Sequence, residues 1–198
     1  MRRTKDLLWG LTLALIFGAG VPAGASTFGR VGLEYLVAEN GLIVVGEVLS
    51  ARSYWNDSGT LILTDVQVAI SDVLKGKLAD REITVTLPGG RVGDETIAVL
   101  GGAELTPGSS YVLFLRQGDL PGVKDVRIVR DHSQGVFELQ IGKNGLRGVS
   151  QAARMNLVPD AFGSATAPGE GQGLQFLALR QSILDLVERS AGSKETKP

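Results

Sequence analysis

The chain has 198 residues, 27 of them glycine and none cysteine, and its 20 basic and 21 acidic side chains leave a net charge of −1. That balance lacks the basic footprint nucleic acid demands, and it offers little to an anionic membrane surface. Without cysteine the fold rests on packing alone, and no thiolate metal site can form.

Residues 1–25 read as a secretory signal peptide. Arg2, Arg3 and Lys5 make a positive start, Leu7 to Phe17 an apolar stretch, and Pro22 a helix break before the small residues Ala23-Gly24-Ala25. Cleavage is expected between Ala25 and Ser26, because the apolar run falls short of the roughly 20 residues that span a bilayer. No cysteine follows for lipid anchoring, so a secreted or periplasmic product is expected. Losing Arg2, Arg3, Lys5 and Asp6 leaves 17 basic and 20 acidic residues, more acidic still.

Residues 26–150 are expected to form one β domain. Leu33 to Gly41 predicts a short helix with Leu33, Leu36 and Val37 on one face, stopped by Asn40 and Gly41 in a left-handed cap. Leu42 to Ala51 reads as a buried strand, bent or bulged at Gly46. A polar turn, Asn56-Asp57-Ser58-Gly59, leads to the clearest strand. There Ile62, Thr64, Val66, Val68 and Ile70 alternate with Asp65, Gln67 and Ser71. Ile83, Val85 and Leu87 face inward on a third strand, ended by Pro88-Gly89-Gly90. A short strand, Thr96 to Leu100, follows the Gly93-Asp94 turn. Tyr111 to Leu115 is apolar enough for the middle of the sheet. Val126 to Val129 and Val136 to Ile141 add two strands, and Asn144-Gly145 signals a type I′ hairpin. Residues 151–173 read as a linker and 174–190 as an amphipathic helix. Its apolar stripe is Leu177, Ile183, Leu184 and Val187; Arg180, Gln181, Asp185 and Glu188 lie on the wet side. Residues 191–198 are expected to be a disordered tail.

Antiparallel strands, a bend glycine and no crossover helices indicate a mainly β fold. The expected form is a small antiparallel OB-like barrel with a short N-terminal helix and a C-terminal amphipathic helix; a β-sandwich is the alternative. Four runs carry a resemblance: Leu42-Ile-Val-Val-Gly-Glu-Val-Leu-Ser50, Val73-Leu-Lys-Gly76, Ile83-Thr-Val-Thr-Leu-Pro-Gly-Gly90 and Thr106-Pro-Gly-Ser-Ser-Tyr-Val-Leu-Phe-Leu115. In order and spacing they resemble a family of uncharacterised exported bacterial proteins, and also the netrin-like OB barrel of the tissue inhibitors of metalloproteinases. The resemblance covers about residues 33 to 140 and implies a barrel that binds a protein. Those inhibitors chelate a protease zinc through an N-terminal cysteine. The expected first residue here is Ser26, so that route is not implied.

No constellation supports catalysis, and no cofactor or metal is implied. His132, the only histidine, sits in Asp131-His132-Ser133, but strand neighbours point to opposite faces and no nucleophile elbow is present. One histidine and no cysteine cannot make a zinc site. Pro88 to Asp94 lacks the Lys-Ser/Thr and the following helix of a phosphate loop, and reads as a hairpin turn. Glu47, Asp65, Asp72, Asp94 and Glu95 read as solvated strand faces rather than a glycosidase pair. Asn56 to Gly59 lacks the spaced oxygens of a calcium loop.

OB barrels bind over their second and third strands and the flanking loops. Tyr54, Trp55 and Arg91 are therefore the candidate binding residues: two aromatics beside the first hairpin loop and a cation for a carboxylate or other anion. Trp55 beside a polar turn is either packed on the barrel or offered to a partner. The expected function is an exported non-catalytic binding module, protein-binding or inhibitor-like, whose partner is an extracellular or envelope protein. Alternatives are a structural or accessory envelope protein, and a hydrolase with an unrecognised site.

Overall fold

The computed structural model describes residues 28–130, 132–154, 157–158 and 173–195. The signal-peptide reading of residues 1–25, most of the expected linker and residues 196–198 lie outside that range.

In chain order the elements are β1 (Phe28–Gly29), α1 (Leu33–Glu39), β2 (Leu42–Trp55), β3 (Ile62–Lys75), β4 (Glu82–Pro88), β5 (Gly90–Val92), β6 (Glu95–Ile97), β7 (Ser110–Leu120), β8 (Val123–Val129), β9 (Val136–Gly142), β10 (Gly145–Ser150), β11 (Leu157–Val158), β12 (Leu174–Gln175) and α2 (Phe176–Glu195). The fold is mainly β, with one helix just ahead of β2 and one after the last strand.

The large sheet runs β4-β3-β2-β7, and every pairing along it is antiparallel. Along its far edge β7 meets two strands end to end. Leu115 to Leu120 pair with β8, and Ser110 to Leu113 pair with β9. Between them the chain makes a 3-10 turn, His132–Gly135, entered at His132 with φ +59°. That jog lets β8 swing toward β4, which it flanks with no ladder between them. The sheet thereby curls so that β4 and β8 lie side by side, a β-rich arrangement consistent with the expected barrel or its sandwich alternative. Past the jog, β9 continues into the β9–β10 hairpin, which carries β12.

Two apolar layers explain the composition of the central strands. Val44, Val48, Val66, Val68, Val85, Tyr111, Leu113 and Leu115 fill the barrel. Ile43, Val45, Val112, Phe114 and Phe137 point the other way, under α1 and α2, and meet Leu36, Val37, Leu179 and Ile183. A strand buried on both faces reads as an unbroken apolar run, which is the pattern at 42–45 and 111–115. Gly46 marks a bulged stretch of β2: a Cβ there would lie 2.7 Å from the Ala69 carbonyl oxygen and from Val68 Cγ1.

Five local expectations are corrected. Asn40 does not adopt a left-handed cap; it is extended (φ −102°, ψ 129°), and its side-chain Nδ2 donates to the Leu36 carbonyl at 2.8 Å. Lys75 adds its ammonium to the carbonyls of Val37 and Ala38, a cation at a helix C-terminus. The β9–β10 turn is not type I′, since Lys143 and Asn144 keep negative φ and Gly145 takes φ +101°. That is a tight two-residue turn closed by a glycine at positive φ. The strand expected over Thr96 to Leu100 shrinks to β6, the second arm of a small hairpin with β5. In α2, Leu177 is 77% exposed and Leu179 takes the buried place beside Ile183. The helix also runs through Ala191 to Glu195, where a tail was expected. Among the described residues no helix is long and apolar enough to cross a membrane.

Candidate binding face

The side chains of β2, β3 and β4 alternate between the barrel interior and the outside, and the register says which residues share a face. Ala51, Ser53 and Trp55 stand opposite Val66, Thr64 and Ile62, the inward series of β3. Arg52 and Tyr54 stand opposite Asp65 and Leu63, the outward series, in which Leu63 is itself fully buried. On β4, Thr86 and Thr84 continue the outward rows of Asp65 and Gln67.

The polar groups of that face are wired together, with Thr86 buried beneath them. The Tyr54 hydroxyl donates to Asp65 Oδ1 at 3.3 Å, and Thr86 Oγ1 donates to the same oxygen at 2.7 Å. Gln67 Nε2 donates to Thr84 Oγ1 at 2.9 Å. Tyr54 is held above its ordinary pKa of 10.0, first by desolvation, then by the Asp65 carboxylate and the hydrogen bond to it. It stays a neutral phenol with its ring fixed over strand β3.

The adjoining rim is organised by Asn56, only 3% exposed. Its Oδ1 accepts from the Thr60 and Leu61 amides at 2.9 and 3.1 Å, and its Nδ2 donates to the Pro121 carbonyl at 3.0 Å. One side chain thus closes the β2–β3 loop and ties it to the β7–β8 turn. Both carbonyl lone pairs are spent on the chain itself. Asn56→Ala is expected to cost about 2 kcal/mol, because buried amides lose their acceptor. Thermal unfolding measures this, and faster hydrogen exchange at Thr60 and Leu61 should accompany it.

The register sets the three candidate residues on different faces of the ladder. Tyr54 belongs to the outward face. Trp55, half-buried opposite Ile62, belongs to the inward series at the barrel end. Arg91 lies on the Trp55 side. Its backbone amide approaches Ser53 Oγ at 3.4 Å, and its Nε donates to the Gly93 carbonyl at 2.9 Å. Consecutive strand residues point to opposite faces, which separates Tyr54 from Trp55 however close they are in sequence.

The other residues singled out in the sequence are placed as follows. His132 opens the jog between β8 and β9; Asp131 lies outside the described residues. Ser133 is buried, and its amide donates to the Gly101 carbonyl. Residues 88–94 form the start of the β5–β6 hairpin, with no helix following. Asp72 pairs with Arg180 at 2.8 Å and so fastens α2 to β3. Among the described residues no cluster of His, Asp or Glu is placed to hold a metal.

Asp65 and Gln67 were legible as the polar side of an alternating strand. Thr84 and Thr86 follow from the alternation of Ile83, Val85 and Leu87. That they and Tyr54 converge depends on register, which alternation does not give. The role of Asn56 had no signal beyond its membership in a turn. A comparison with models of known protein families finds no match, and a comparison with curated proteins finds none.

Proposed function

We propose that the chain is an exported binding module that engages a protein partner, outside the cytoplasm or in the envelope, through the outward face of β2, β3 and β4 and the loops beside it. The observation that carries this reading is the fixed polar network of Tyr54, Asp65 and Thr86, set beside a rim stiffened by Asn56. Pre-ordered side chains lose little entropy on binding, and a tyrosine offers contact area with few rotatable bonds. Export rests on the composition of residues 1–25, and the likeness of the four short runs to the netrin-like barrel supports a protein as ligand. The reading needs no cofactor or metal and assigns no catalytic residue.

The structural division of Tyr54 from Trp55 supplies the test. Against a partner isolated on the immobilised chain, Tyr54→Ala should weaken binding by about 2 kcal/mol, the scale of a hot-spot residue. Its thermal stability should stay close to that of the unaltered chain. Trp55→Ala should do the reverse and lower stability. Equal binding by Tyr54→Ala and the parent chain would refute the assignment of this face.

A further inference from the structure

The chain holds four asparagines, and two of them, Asn40 and Asn144, precede glycine. At an Asn-Gly step no side chain shields the following amide nitrogen, which can then reach the asparagine's own side-chain carbonyl. The two steps share this sequence but sit in opposite surroundings. Asn40 is fully buried and its amide is tied to the Leu36 carbonyl at 2.8 Å. Asn144 is exposed at the tip of the β9–β10 hairpin, and its side chain makes no hydrogen bond among the described residues. Its neighbour Gly145 forms the terminal pair of the ladder, with Gly142, so freeing the Gly145 amide opens no interior pair.

We infer that Asn144 is a site of spontaneous deamidation and that the fold protects Asn40. The backbone nitrogen of Gly145 attacks Cγ of Asn144 and forms a C–N bond. Nδ2 leaves as ammonia, carrying off the proton lost by the Gly145 nitrogen. Water then opens the cyclic imide at either carbonyl, giving aspartate or isoaspartate and one added negative charge. No enzyme or oxidant takes part. Isoaspartate lengthens the backbone of a tight turn by one methylene. The effect should reach α2, because β10 carries β12 and because Leu179 packs on Gly148 so closely that a Cβ there would lie 2.6 Å from its Cδ2. Asn56 is excluded by its burial and its three short backbone bonds.

The full chain, aged at mildly alkaline pH and peptide-mapped by mass spectrometry, tests this. Conversion at Asn144 should exceed that at Asn40 by at least about tenfold in the folded chain, since Asn40 reacts only through local opening. In denaturant the two steps should convert at similar rates. Asn144→Gln should remove the fast component and leave the slow one. Conversion of Asn40 in the folded chain at the pace of Asn144 would overturn the inference. So would an unchanged Asn144 over a period in which the denatured chain converts at both steps.

Discussion

Ile183→Ala is expected to lower the free energy of unfolding by about 3 kcal/mol, the range for emptying a fully buried aliphatic site. Ile183 and Leu179 are 0% exposed and belong to the layer that holds Phe114, Val112 and Ile43 against the helices. Removing three carbons there leaves a cavity between a helix and a sheet that a strand pinned on both edges cannot fill. Leu177→Ala is the paired control. With its side chain 77% exposed, that substitution should stay within about 0.5 kcal/mol. Chemical denaturation of both variants decides the point. A large loss from Leu177→Ala with little from Ile183→Ala would mean that α2 packs through its other face.

Gly90→Ala should be comparably severe, at about 3 kcal/mol. Gly90 has φ +135°, where an L-residue is strained, and a Cβ would lie 2.3 Å from Thr64 Oγ1 and 2.5 Å from Ser53 Oγ. Those hydroxyls are engaged with each other at 2.9 Å, and Thr64 Oγ1 with the Gly89 carbonyl at 2.7 Å. They hold the β5–β6 hairpin against the end of the barrel. Gly93→Ala separates strain from crowding. Gly93 also has positive φ (+61°) but open space around it, so the cost should fall to about 1 kcal/mol. Equal losses from the two variants, measured by thermal unfolding, would show that the close approach at Gly90 carries no weight.

The pattern of what the sequence conveyed follows from the range of the forces involved. Alternation at 62–70 and the apolar runs at 42–45 and 111–115 identify strands because side-chain period is local. The mainly β fold with its two helices follows from them. Helix α2 was legible as a helix, but its buried stripe was misplaced by the choice of Leu177 over Leu179. Periodicity allows either residue to start the stripe, and the Gly148 backbone that receives Leu179 is remote in sequence. Asn40 was recognised as a stop signal while its mechanism was not. A left-handed backbone and a side-chain cap read alike in sequence, and the burial that favours the second comes from the second core. The candidate face shows the same limit. Tyr54 was identified from its type and loop position, yet its coupling to Asp65 and Thr86 depends on the pairing of three strands. Trp55 was grouped with it because sequence proximity hides the alternation of faces, and Arg91 because its turn was expected to flank the same end of the barrel.

Site-directed photo-crosslinking tests the binding-face proposal most directly. A photoreactive residue is placed in turn at Tyr54, at Gln67 on the same outward face, and at Glu188 on the exposed side of α2, each in the full chain as produced by its own cell. The account predicts one common protein adduct from positions 54 and 67 and none from position 188. An adduct from position 188 with none from 54 and 67 would contradict it and move the interaction surface to the C-terminal helix.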